Sequence, residues 1–425
     1  LLNLEYNNTI DYKNRGDNVG KKYYMLIISL ISILLLIVGC NVADDKQPNN
    51  EAEKERPVVD PIKENIKTMT LEEKIGQMVI VGLDSYNVDE NTVDMIQNKK
   101  VGGFILFKKN VKDTGQLLNL VNSLKENNSN NNIPLFISID EEGGKVSRVP
   151  DEFKNLPTNR EIGKLNNKDY SYEIGNVLAM QLNAFGINMD FAPVLDVNTN
   201  PNNPVIGNRS FGSDPNTVSD LGIATMKGIK NKGVIPVVKH FPGHGDTSVD
   251  SHIGLPSIDN DLDRLKEVEL VPFKNAIKNE ADVVMVAHIL MTKLDSNYPA
   301  SMSKNVISDI LRDDLNFDGV VITDDMTMGA ILKNYSINDA AIKSVNAGSD
   351  IILVCHNNDN QINAINSLIQ AVKDGEIPEE RINESVYRIL KLKDKYNING
   401  EIINSVDVDN INYNINKVLD TYTNK

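Results

Sequence analysis

Three of the chain's five histidines fall within Lys239-His240-Phe241-Pro242-Gly243-His244-Gly245-Asp246-Thr247-Ser248-Val249-Asp250-Ser251-His252. Three chemistries fit these residue types. His240, His244 and His252 with Asp246 and Asp250 are common metal ligands. Asp250-Ser251-His252 could instead be an orienting carboxylate and an acid/base imidazole. The imidazoles could also be structural, satisfied by backbone partners, and the stretch by itself leaves all three open. A second candidate is Gly319-Val320-Val321-Ile322-Thr323-Asp324-Asp325-Met326, where a carboxylate directly follows an apolar run. One fixed carboxylate plus an acid/base on a loop suits glycoside cleavage with retention. The plainer alternative makes Asp324 a cap for the segment Asp325–Leu332, a duty that Asp325 could carry alone.

These residues need elements to hold them. The apolar run Val234–Val238 reads as a buried strand, with Lys239 onward on the loop at its end. Similar runs occur at Met78–Gly82, Gly103–Phe107, Leu135–Ile139, Met189–Val194, Val283–Val286, Val320–Ile322 and Ile351–Val354. Helical patterns lie between them, at Thr114–Glu126, Tyr172–Phe185, Val218–Lys230, Leu262–Ile277, Ser303–Leu315 and Asn338–Ala347. Thr70-Leu71-Glu72-Glu73 is a capping box for the first well-marked helix. Apolar strands alternating with helices are parallel strands buried on both faces, and eight such units predict an α/β fold of the (β/α)8 TIM-type barrel class, one catalytic domain. A barrel should gather functional residues after strand C-termini. Those positions hold Asp84, Lys108, Asp140, Asp196, Lys239, His240, His288, Asp324 and His356, whereas a doubly wound sheet would concentrate such groups at fewer strands. The closing helix is Pro378–Tyr396, with Ile382, Val386, Ile389 and Leu390 on one face.

At this density the sequence resembles glycoside hydrolase family 3, in particular its bacterial β-N-acetylglucosaminidases of the NagZ type. Their signature is Lys-His-Phe-Pro-Gly-His-Gly, four variable residues, then Asp-Ser/Thr-His, and Lys239–His252 fits it without a gap. Further matches are Met69–Met78, Asp140–Arg148, Asp190–Asp196, Arg209–Gly212 and Thr323–Asp325. The resemblance implies Asp324 as nucleophile and His252 as general acid/base, with Asp250 holding the imidazole. It also implies that Asp140, Arg148, Arg209, Lys239 and His240 bind a terminal N-acetylglucosamine, with Asp196 expected to line the same pocket. Substrates would be N-acetylglucosamine-containing glycans or muropeptides, with no metal and no organic cofactor. A neutral imidazole in place of the usual Glu would not repel an anion during deglycosylation, so phosphate could compete with water. The rival readings are a metal-dependent hydrolase using the histidines and a non-catalytic sugar-binding lipoprotein.

The rest of the chain sets context. Lys21 and Lys22 precede fourteen apolar residues, Met25 to Val38, then Gly39-Cys40. That run would span roughly 21 Å as a helix against the ~30 Å of a bilayer core, which fits a signal peptide. Ile37-Val38-Gly39-Cys40 resembles a lipobox, implying acylation of Cys40 and anchoring at the extracellular face of a bacterial cell membrane. The expected organisation is a leader and signal over 1–40, a flexible tether over 41–57, the barrel over 58–398 and a polar surface tail or small extension over 399–425. A formal charge of −15 and a pI near 4.9 argue against nucleic-acid binding, which needs a basic face. Cys355 closes an apolar run and reads as a buried, unpaired core residue; a monomer is expected.

Overall fold

The computed structural model describes residues 60–423. The leader, the signal-like run, Cys40 and the tether up to Pro57 lie outside the described residues. Eight parallel strands form the sheet: β1 Val79–Gly82, β2 Gly103–Leu106, β3 Phe136–Ile139, β4 Met189–Asp190, β5 Ile235–Phe241, β6 Val283–Val286, β7 Val320–Thr323 and β8 Ile352–Val354. Each pairs with the next, and β8 returns to β1 with Val79 opposite Ile352. A parallel bridge between Ile322 and Ile351 closes the ring between β7 and β8. Every strand residue is buried, as expected where helices cover one face and interior side chains the other.

Two strand boundaries differ from the reading of the sequence by more than one residue. β4 is only two residues long because Pro193 follows and cannot donate to the ladder, although a further bridge joins Val194 to Lys239. β5 runs on to Phe241, so Lys239 and His240 belong to the strand and not to the loop. The pattern over Leu262–Ile277 is two helices, Leu262–Glu267 and Leu270–Lys278. Pro272 explains the break: its ring would clash with the carbonyl four residues back, at Val268.

Local chemistry sets the remaining helix ends. Thr70 and Glu73 form the expected capping box, Glu73 N–H donating to Thr70 Oγ1 at 3.2 Å and Thr70 N–H to Glu73 Oε2 at 2.9 Å. The closing helix, Glu379–Lys395, buries Ile382, Val386, Ile389 and Leu390. Its Ser385 donates to Asp350 at 2.8 Å, and Asp350, fully buried just before β8, also takes Arg312 at 2.6 Å and the Val321 amide at 2.9 Å. The barrel seam is thus sealed by charge as well as by apolar packing.

The polar segment after Gly400 holds more structure than its composition indicated. Val408–Thr423 is a helix that packs on the helix Lys168–Asn183. Ile411, Ile415, Val418, Leu419 and Tyr422 recur at helical spacing on one side, a stripe easily overlooked among many Asn residues. Ile411 and Ile415 are buried, the Tyr422 ring lies 5.2 Å from that of Tyr170, and Asn412 Oδ1 accepts the Lys154 amide at 2.7 Å. If this helix is part of the core, Ile415→Ala should lower stability by about 2–4 kcal/mol in urea titration; a merely appended tail would leave the midpoint unmoved.

Candidate active site

Above the C-terminal end of the barrel lies a cavity of about 350 Å³. Its blind end is a network of opposite charges. Lys239, which β5 points inward, places Nζ 2.6 Å from Asp140 Oδ1 and 2.7 Å from Glu142 Oε1. Arg209 meets the same Glu142 with both prongs, Nε at 2.9 Å and Nη2 at 2.7 Å. Burial pushes the Glu142 carboxyl up, but Arg209 and Lys239 reverse this and hold it well below the usual carboxylate range. Burial likewise disfavours the Lys239 ammonium, and Asp140 with Glu142 overcomes it, leaving its pKa raised. The Arg148 guanidinium faces the cavity without an ion-pair partner among the described residues. Such a floor suits hydroxyl-rich ligands, which take charge-assisted hydrogen bonds from both signs of group.

Next to this floor stands His240. Its Nδ1 lies 2.7 Å from Asp196 Oδ2, so Nδ1–H donates there and Nε2 is left to accept from Arg209 Nη2 at 3.3 Å. Asp196 is fully buried and does not line the cavity, contrary to the expectation that it touches the ligand. Its oxygens are already occupied: Oδ1 also accepts the amides of His240 at 3.3 Å and His244 at 2.7 Å. Gly245 lets the loop pass this closely, because a Cβ there would stand 1.9 Å from the Val197 carbonyl oxygen. Asp246 accepts from Thr199 at 3.1 Å and Asn260 at 3.1 Å. Among the described residues no three His, Cys, Asp or Glu side chains come together as a metal site.

The far part of the loop carries Asp250 and His252. Asp250 Oδ1 takes both the His252 ring Nδ1–H and its amide, each at 2.8 Å, which leaves Nε2 available at the cavity. Asp324 extends from β7, its amide donating to the Val286 carbonyl at 2.9 Å and its Oδ1 accepting the Asp325 amide at 2.8 Å. Burial raises the Asp324 pKa, but His288, His240, the Asp325 amide and Lys239 together bring it below the ordinary value. An ionised carboxylate therefore faces the cavity opposite a carboxylate-oriented imidazole.

Asp325 does not cap a helix. Its Oδ1 accepts the Thr327 amide at 2.9 Å and the Cys355 amide at 3.0 Å, stitching the end of β7 to that of β8, and the helix begins only at Gly329. His288 lies beneath the site, with Nδ1 2.7 Å from Ser301 Oγ and Nε2 2.9 Å from the Asp325 carbonyl oxygen, and does not reach the cavity. Asp140, Arg148, Arg209, Lys239, His240, Asp250, His252 and Asp324 all line it, so residues named from four separate stretches converge. Glu142 was not anticipated. Charge accounting would have found it, since three cations, Arg148, Arg209 and Lys239, were assigned to the sugar pocket with only Asp140 and Asp196 to balance them.

Behind the floor, Glu141 is 1% exposed, and burial raises its carboxyl to about 7 against the pull of the Arg148 and Val149 amides. Those amides donate to Oε2 at 2.6 and 3.2 Å, so Glu141 shapes the turn that presents Arg148. With a folded pKa above the unfolded one, the native state holds the extra proton between about 4.5 and 7, and stability is lost as pH rises through that window. Glu141→Gln keeps an acceptor oxygen and cannot ionise. Relative to wild type it should gain up to about 3 kcal/mol in urea unfolding between pH 5 and 7.5; parallel pH curves for the two proteins would contradict this.

Residues 70–392 match the family described as Glycosyl hydrolase family 3 N terminal domain. The chain is 38% identical over 326 residues to Beta-hexosaminidase A of Pseudoalteromonas piscicida, covering 71% of this chain and 54% of that protein, so it spans about half that relative's length. It is 36% identical over 289 residues to a Beta-hexosaminidase of Neisseria meningitidis serogroup C, covering 66% of this chain and 79% of the other. It superposes with a TM-score of 0.80, at 38% identity, on a glycoside hydrolase family 3 beta-N-acetylglucosaminidase from Paenibacillus sp. str. FPU-7, covering 83% of this chain and 69% of that one. By motif order, matched length and barrel geometry, the chain belongs to glycosyl hydrolase family 3.

Proposed function

We propose that the chain is a retaining exo-β-N-acetylglucosaminidase that releases terminal β-linked N-acetylglucosamine from peptidoglycan fragments. The observation that carries this reading is one cavity holding Asp324, the Asp250–His252 pair and the charged floor together. Family membership and relatives named as β-hexosaminidases support the sugar class. In the first step Asp324 attacks the anomeric carbon while protonated His252 gives its Nε2 proton to the departing glycosidic oxygen. Asp250 holds the ring by its Nδ1–H and so presents Nε2 to the cavity. In the second step the neutral imidazole takes a proton from water, the hydroxide displaces Asp324 from the anomeric carbon, and the configuration is retained. Asp140, Arg148, Arg209, Lys239 and His240 grip the sugar hydroxyls.

Asp324→Asn should lower turnover of a chromogenic β-N-acetylglucosaminide by at least about a thousandfold, and near-normal activity would remove the nucleophile assignment. His252→Ala should cost far more on a muropeptide than on a good aryl leaving group, which needs little protonation. The same proposal places the enzyme at the outer face of a bacterial membrane, held by acylation of Cys40. Support comes from Lys21 and Lys22, the apolar run after them and the lipobox-like Ile37–Cys40. Cys40→Ser should move the protein from the membrane to the soluble fraction on cell fractionation; unchanged membrane retention would sink the anchor.

A further inference from the structure

The acid/base pair stands in the open, with the side chain of Asp250 30% exposed and that of His252 67% exposed. The residue between them does not: Ser251 is 2% exposed. Its carbonyl and its hydroxyl are both held by the protein. Its carbonyl accepts the Ala330 amide at 3.0 Å, on the short helix Gly329–Leu332 that follows Asp324. Its hydroxyl lies 3.2 Å from His244 Nε2.

His244 is itself anchored from behind. Thr247 Oγ1 lies 2.7 Å from His244 Nδ1 and 3.0 Å from its carbonyl oxygen, and accepts from Asn203 Nδ2 at 3.3 Å. Burial, together with the nearby His240, lowers the His244 pKa to about 4, so at neutral pH the ring is neutral and one nitrogen donates while the other accepts. The chain does not stop at His244, whose amide is bound by Asp196, the carboxylate that also orients His240 in the sugar floor. On the other side the loop is pressed close: a Cβ on Gly329 would come within 2.5 Å of the His252 carbonyl oxygen.

We infer that Ser251 and His244 are positioning residues for proton transfer, and that the buried Ser251–His244 hydrogen bond sets where the His252 ring stands over the reacting oxygen. Neither touches the reacting atoms in this role; they hold the backbone from which Asp250 and His252 project. The inference rests on the proposed role of His252 as acid/base.

The test is a series of β-N-acetylglucosaminides with leaving groups from dinitrophenol to simple alcohols, run on wild type, Ser251→Ala, Ser251→Thr and His252→Ala. A displaced acid hurts only substrates that need protonation. Ser251→Ala should lose about tenfold or more in kcat/KM on alkyl glycosides and less than about threefold on the dinitrophenyl glycoside. Ser251→Thr, which keeps the hydroxyl, should retain the wild-type dependence on leaving group. An equal loss across the series in Ser251→Ala, or an unchanged dependence, overturns the positioning role while a steepened dependence in His252→Ala leaves the acid assignment standing. If His252→Ala shows no steepening, the acid assignment falls and the inference falls with it.

Discussion

An ammonium group buried as deeply as that of Lys239 needs matching carboxylates, because the desolvation of an unpaired charge costs several kcal/mol. Much of the site's layout follows from that one requirement. Asp140 and Glu142, at the end of β3, must come across to β5, and Glu142 in turn holds Arg209 from the long segment after β4. The floor's charges therefore hold one another in place. A sugar bound as proposed would meet groups already oriented, which is how preorganised charge contributes most to binding and catalysis.

The two ends of the cavity differ in their access to water. Asp324 is surrounded by protein groups that favour its charged form, whereas His252 stands at an open rim. This division suits a two-step displacement. In the proposed mechanism Asp324 would stay ionised, while His252 would exchange its proton with solvent between turnovers. Asp196 links the halves, binding His240 on the floor side and His244 on the loop side through a single carboxylate.

What was legible in the sequence followed physical rules of differing strength. The strands were plain because a buried parallel strand must be almost wholly apolar, and Val283–Val286 could be read to the residue. Asp140, Lys239, His240 and Asp324 were legible as strand ends that share one mouth, whereas Arg148, Arg209, Asp250 and His252 were named through the resemblance to glycoside hydrolase family 3. What escaped depended on partners distant in the chain. Asp196 sits at a strand end like the others, but whether it faces the cavity or turns inward depends on His240 and His244 claiming its oxygens. Asp325 looked like a helix cap until the Cys355 amide, on the next strand, proved to be among its partners. The C-terminal helix was obscured by composition: its apolar stripe is regular, but the Asn residues between mask it.

Cys355 ends β8 with its amide tied to Asp325, fully buried and unpaired, and burial drives its thiol pKa far up. In the intact barrel this thiol stays protonated within the wall of the cavity, where it is a poor nucleophile. Parting of the seam between β7 and β8 would release it from burial, so its rate of capture by an electrophile would report how often that closing joint opens.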